Sequence, residues 1–151
     1  MLLKQISRVL VSALMPALIA LPLAAGAAQP VIEVYKTATC GCCKQWVKHL
    51  EANGFTVKAQ DVADPGDYRA KFGIADQHAS CHTARVQGYA VEGHVPASDI
   101  KRMLGTRPEA VGLAVPGMPM GSPGMEGAHS DPYEVLLVKK DGSTSVYKRH
   151  R

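Results

Sequence analysis

Three of the four cysteines in this 151-residue chain fall within four consecutive positions, Cys40-Gly41-Cys42-Cys43. Their flanks say where in a fold they stand. Val31-Ile32-Glu33-Val34-Tyr35 is rich in β-branched and aromatic residues and reads as a strand. Lys44-Gln45-Trp46-Val47-Lys48-His49-Leu50 reads as a helix, with Val47 and Leu50 continuing the face of Cys43 while Lys44 and Lys48 turn away. The thiols therefore lie where a strand hands over to a helix. Unpaired backbone N–H groups and the positive end of the helix dipole favour a thiolate there, and Lys44 adds positive charge.

Two chemistries overlap in this cluster. Cys40 and Cys43 have the C-x-x-C spacing of a dithiol redox pair, and Cys42 is an additional thiol between them. A dithiol reductase uses only the outer two. A soft metal can use all three, and thiolates select copper(I), zinc or iron–sulfur centres. Three thiols on one turn crowd a single tetrahedral zinc ion, whose sites more often split their ligands into two separated pairs. Copper(I) accepts two or three thiolates, and thiolates bridge neighbouring copper ions, so copper fits better than zinc. Structural cystines are the bland alternative, but adjacent thiols are an awkward way to staple a fold. Covalent haem is excluded, because Lys44 follows Cys43 where a histidine is needed, and His78 stands three residues before Cys81 where a cysteine is needed.

Residues 1–27 have the pattern of a secretory leader. Lys4 and Arg8 form its charged start, Leu10 to Leu23 its apolar run, and Ala24-Ala25-Gly26-Ala27-Ala28 its small-residue cleavage region. The apolar run is shorter than the ~20 residues of a spanning helix, and Pro16 and Pro22 weaken it further. The expectation is cleavage near Ala27, export to an oxidising compartment, one mature domain over 28–151, and no membrane attachment afterwards. Loss of Lys4 and Arg8 takes the formal charge from +4 to +2. No basic patch interleaved with aromatics is present, which excludes a nucleic-acid partner.

The mature chain opens as strand, helix, strand. The helix is expected from about Gly41 to Ala52, stopped by Asn53-Gly54, and the second strand over Phe55–Gln60 with Phe55, Val57 and Ala59 on a buried face. Asp64 and Pro65 cap a short helix over Gly66–Phe72. The fourth cysteine stands in Ser80-Cys81-His82, at the start of a hairpin that turns at Gln87-Gly88 and returns through Tyr89–Glu92. A helix over Pro96–Leu104 follows, ended by Gly105, with Ile100, Met103 and Leu104 on its apolar face. Residues 111–127 read as a loop of glycine, proline and methionine, holding Met118, Met120 and Met125. Its methionines either plug the core edge or form a thioether lip on a soft-metal site, and one of its prolines is a candidate for a cis bond facing the cysteines. Tyr133–Val138 reads as an interior strand, Asp141-Gly142 as a hairpin turn, Thr144–Lys148 as an edge strand and Arg149–Arg151 as a frayed tail.

Cys40-Gly41-Cys42-Cys43, Ser80-Cys81-His82-Thr83-Ala84, Val91-Glu92-Gly93-His94-Val95-Pro96 and Gly112-Leu113-Ala114-Val115-Pro116-Gly117-Met118-Pro119 together resemble the CopG-type family of small periplasmic proteins from copper and silver resistance clusters. The resemblance spans nearly all of the mature chain. It implies an α/β, thioredoxin-like single domain with a central mixed sheet, in the periplasm. It implies that Cys40, Cys42, Cys43 and Cys81 bind copper(I), more than one ion, with His94, Met118 and Met120 as weaker candidates. Silver(I) shares that chemistry and zinc is disfavoured. The implied partners are a periplasmic electron donor or a copper-efflux or resistance protein.

Other functions are consistent with the residues alone. Cys40 attacking and Cys43 resolving would make a thiol–disulfide oxidoreductase without metal. A passive metallochaperone needs no turnover. The strand–helix–strand opening also resembles thioredoxin-related arsenate reductases, for which Arg85 and Arg107 are the candidate oxyanion binders. Four cysteines allow three complete pairings. A vicinal Cys42–Cys43 bridge is disfavoured by strain, leaving Cys40–Cys43 with Cys42–Cys81, or Cys40–Cys42 with Cys43–Cys81. Strand alternation turns His82 away from a site that Cys81 faces. His49, His78, His129 and His150 read as surface residues, and Thr37 and Thr39 as helix caps.

Overall fold

A computed structural model describes residues 30–151. The expected leader and its cleavage site at Ala27 lie outside the described residues. The elements run β1 Val31–Lys36, α1 Gly41–Ala52, β2 Thr56–Asp61, α2 Pro65–Lys71, a 3-10 turn Asp76–His78, β3 His82–Val86, β4 Tyr89–Glu92, α3 Ala97–Thr106, β5 Gly112–Ala114, β6 Tyr133–Val138 and β7 Thr144–His150. The seven strands form one sheet in the order β2-β1-β3-β4-β5-β6-β7. β1 pairs parallel with β2, and β4 with β5; every other neighbour is antiparallel. The β1-α1-β2 unit beside the β3-β4 hairpin and α3 is the thioredoxin-like core, and the sheet is mixed as expected.

Core burial explains why these segments hold. On β1, Ile32 and Val34 are fully buried while Glu33 between them is exposed. Cys43, Trp46 and Leu50 bury one stripe of α1 at i, i+3 and i+7. Each fully buried side chain of this size contributes about 1.5–3 kcal/mol. Trp46, more than Val47, is the deep residue of that stripe, and its indole N–H donates to the Val95 carbonyl at 2.8 Å. Ile100 and Met103 of α3 enter the same cluster. Asp64 caps α2 by accepting the Gly66 N–H at 2.7 Å, with Pro65 in the first turn, as the sequence indicated.

Several local expectations are corrected. Phe55 is buried, but Val57 is only half-buried and Ala59 is exposed, because β2 is the sheet's edge strand and little covers it. Helix α3 runs through Gly105 to Thr106 and stops at Arg107, which takes the left-handed conformation (φ 47°) usually given to glycine. Part of the 111–127 loop is strand: Gly112–Ala114 adds β5 to β4, too short and too fully buried to show alternation. No peptide bond is cis among the described residues. The tail is not frayed. β7 continues to His150, whose Nε2 lies 2.7 Å from buried Asp99 Oδ2 and whose ring stacks on Tyr133.

Candidate metal centre

Helix α1 begins at the cysteines. Cys40 is its N-cap residue, and Cys40 Sγ, in place of a threonine hydroxyl, accepts the Cys43 N–H at 3.3 Å. The chain arrives from β1 through a turn in which the Cys40 N–H bonds the Thr37 carbonyl. Cys42 and Cys43 then occupy the first turn, Cys43 fully buried and Cys42 partly exposed. Cys81 comes from the stretch just ahead of β3. Since β3 pairs antiparallel with β1, Lys36 opposite His82, the sheet brings Cys81 level with the end of β1 and the head of α1.

All four sulfurs lie within 4.8 Å of one another. Cys40 and Cys43 are joined as a disulfide, with Cα atoms 5.4 Å apart, and Cys42 and Cys81 are free thiols. Cys42 Sγ is 3.7 Å from Cys81 Sγ and 3.5 Å from Cys40 Sγ, and Cys43 Sγ is 3.5 Å from Cys81 Sγ. The structure holds the first bridge of one pairing while the sulfurs of the other pairing are in contact. Thiol–disulfide exchange needs that proximity.

Two imidazoles back the sulfurs. Cys81, His82 and His94 form a second convergent group within the same 4.8 Å limit. His94 is fully buried, with Nδ1 2.7 Å from the Pro123 carbonyl and Nε2 3.1 Å from Cys81 Sγ. A carbonyl only accepts, so Nδ1 carries the hydrogen and Nε2 turns its lone pair to the sulfur. Burial lowers the His94 pKa. His82 Nδ1 stands 3.4 Å from the same sulfur, its ring between Trp46 and His94. Burial, then His94 beside it, pushes its imidazole down to about 3. Both rings are therefore neutral near pH 7, the form that binds metal. The Cys81 thiol is pushed up to about 12 by burial first, then by Cys42. That is the reverse of the low pKa expected of the helix-end cysteines, because Cys81 lies off the helix end.

The methionine loop divides. Met118 is half-exposed, and its sulfur lies 4.0 Å from Cys42 Sγ. Met120 instead packs its methyl against Gly127. Of the two candidate arginines, Arg85 lies over the Phe72 ring, and Arg107 is exposed in a cleft of about 430 Å³ with Glu109 and Lys140.

The family described as "Protein of unknown function, DUF411" matches residues 78–125, a stretch with Cys81, His94 and Met118 but without the first three cysteines. The solved structure of copper resistance protein CopG in its form 2 is 46% identical and superposes with a TM-score of 0.78, covering 82% of this chain and 99% of that one. Form 1 gives 47% identity and a TM-score of 0.76, covering 81% and 98%. The chain belongs to the CopG family. No curated protein matches.

In this CopG-family chain the sequence reading missed three residues around Cys81. Strand alternation turns His82 away from Cys81, yet β3 starts at His82, so Cys81 precedes the strand and the alternation does not reach it. Arg69 and Glu92 meet behind Ser80 from separate elements, a contact with no signature in spacing. His49 and His78 are not plain surface residues either. His49 Nε2 accepts the Ala97 N–H at 3.1 Å, and His78 is buried.

Proposed function

We propose that this protein is a periplasmic copper(I)-binding protein of metal resistance whose four-cysteine site cycles between a copper thiolate cluster and disulfides. The observation that carries the reading is the convergence of Cys40, Cys42, Cys43 and Cys81 within 4.8 Å, two of them free at 3.7 Å. Four soft donors so close suit several copper(I) ions bridged by thiolates, and silver(I) equally, better than one tetrahedral zinc. His94 Nε2 and Met118 stand at the rim as additional donors, and Met120 is the weakest candidate. The fully reduced protein takes up the metal. Loading releases thiol protons, so affinity weakens as pH falls. Forming two disulfides withdraws all four sulfurs and releases the ions. The electrons pass to a periplasmic thiol–disulfide or copper-handling partner. Cleavage near Ala27 leaves residues 28–151 soluble in that compartment, and among the described residues no helix is long and apolar enough to cross a membrane.

Anaerobic copper(I) titration of the reduced mature protein against a competing chelator tests this. Wild type should bind more than one ion. Cys42→Ser and Cys81→Ser should each lose at least one ion or about tenfold or more in affinity, and Met118→Leu only a few-fold. The Cys40–Cys43 bridge favours one alternative, a thiol–disulfide oxidoreductase with no physiological metal. Wild-type binding no tighter than that of a simple C-x-x-C protein, unchanged by Cys42→Ser and Cys81→Ser, would establish that reading instead. Metal uptake with no disulfide cycle would mark a passive metallochaperone.

A further inference from the structure

Cys81 sits on a stretch with no ladder of its own. The 3-10 turn ends at His78 and β3 begins at His82, so residues 79–81 pair with no strand. Side chains supply what the sheet does not. Glu92, fully buried on β4, accepts the Ser80 N–H at 2.7 Å and the Arg69 Nε–H at 2.9 Å through one oxygen, Oε1. Arg69, buried on α2, donates from Nη2 to the Ser80 carbonyl at 3.0 Å. One ion pair thus grips the residue before Cys81 by both its N–H and its C=O. Ser80 Oγ bonds the Gly117 carbonyl, and the Gly117 N–H bonds the Ala79 carbonyl at 2.9 Å, tying the same stretch to the loop that carries Met118.

This arrangement is costly as a way to hold α2 on the sheet. A buried ion pair loses hydration on both members, and Glu92 Oε2 has no hydrogen-bond partner. Apolar side chains of similar volume would pack the two elements with less loss. They would not hold Ser80, because gripping a peptide from both sides needs an acceptor and a forked donor at set positions.

We propose that Arg69 and Glu92 are positioning residues that clamp Ser80, hold Cys81 Sγ against Cys42, and thereby set how readily the Cys42–Cys81 bridge closes. The inference rests on the disulfide half of the function proposed above. The Cys40–Cys43 pair lies within one turn at the head of α1, outside the clamp. The clamp therefore biases one pair and leaves the other alone. When the bridge closes in a glutathione buffer, two thiols lose two protons and two electrons. One glutathione disulfide takes them up and leaves as two thiols.

The test uses mature wild type, Arg69→Lys and Glu92→Gln. Lysine keeps the charge facing Glu92 but loses the second donor arm. Glutamine keeps an acceptor oxygen but loses the charge. Each protein is equilibrated with glutathione buffers of graded ratio, alkylated, and mapped by peptide mass, with circular dichroism as the folding check. The Cys42–Cys81 equilibrium should fall about tenfold in both variants, a potential about 30 mV less negative, while Cys40–Cys43 stays at its wild-type value. If the pair served only to neutralise charge, Arg69→Lys would match wild type, and that result overturns the clamp. Both pairs unchanged, or both shifted together, overturns it as well. If one variant fails to fold, the other carries the test; if both fail, the pair is a fold-stabilising element and the proposal is wrong. A wild type that never closes Cys42–Cys81 also refutes it. A wild type that closes the bridge yet takes up no copper(I) removes the copper reading and leaves the clamp standing.

Discussion

Lowering the pH from 7 to 5 should destabilise the metal-free protein by about 2 kcal/mol through His82 alone. The imidazole is fully buried, and desolvation, with His94 adding to it, holds its pKa down at about 3. In the unfolded chain it titrates near 6.5. The folded value is the lower one, so between 6.5 and 3 the unfolded chain takes up a proton that the folded chain refuses. Stability is complete above that window and is lost as pH falls through it, at a limiting slope of about 1.4 kcal/mol per pH unit. Integration from 7 to 5 gives the figure of about 2 kcal/mol, roughly 6–10 °C in Tm for a domain of this size. His94 and His49, both lowered by burial, act in the same direction. Glu92, raised by burial, acts in the opposite direction. Trp46 is the single tryptophan and is fully buried, so its fluorescence reports urea unfolding directly. Wild type should show a lower midpoint at pH 5 with an unchanged m-value, and His82→Gln should show about 2 kcal/mol less acid loss. Equal wild-type stability at the two pH values would refute the reasoning, as would a His82→Gln protein that loses as much as wild type.

Three further outcomes are expected. Gly124→Ala should destabilise by about 1–2 kcal/mol from backbone conformation alone, since φ is +88°; the new Cβ would also fall 2.7 Å from the Cys42 carbonyl and 2.9 Å from the Trp46 amide nitrogen. Urea unfolding measures the loss, and the His94 ring, released from Pro123, should shift in its NMR spectrum. His150→Ala should cost about 1–3 kcal/mol by leaving Asp99 buried without its partner, a test by thermal melting that a truly frayed tail would pass without change. Intact mass of the protein from a periplasmic extract should begin at Ala28 or Gln29, and a species starting at Met1 would contradict the leader.

What the sequence determined by itself was part of the local structure, where short-range chemistry decides. The ends of β1 and α1 follow from a β-branched run, a cysteine cluster and Asn53-Gly54, and both elements have the expected bounds. The cap on α2 and the turn at Gln87-Gly88 follow from short-range chemistry in the same way. Thiol spacing at a helix start was enough to mark Cys40, Cys42 and Cys43, and the family resemblance added Cys81. What only the tertiary structure decided was which distant groups meet. β5 is visible only through its neighbours, because a three-residue strand buried throughout carries no periodicity. Ala59 lost its expected burial because edge position depends on strand order, which local pattern does not contain. His82 joined Cys81 because the strand starts one residue later than the alternation assumed. Arg69 and Glu92 are 23 residues apart and meet only when α2 packs on the sheet. A buried charge pair is selected by three-dimensional fit and desolvation, and neither is written in the spacing of the residues that form it.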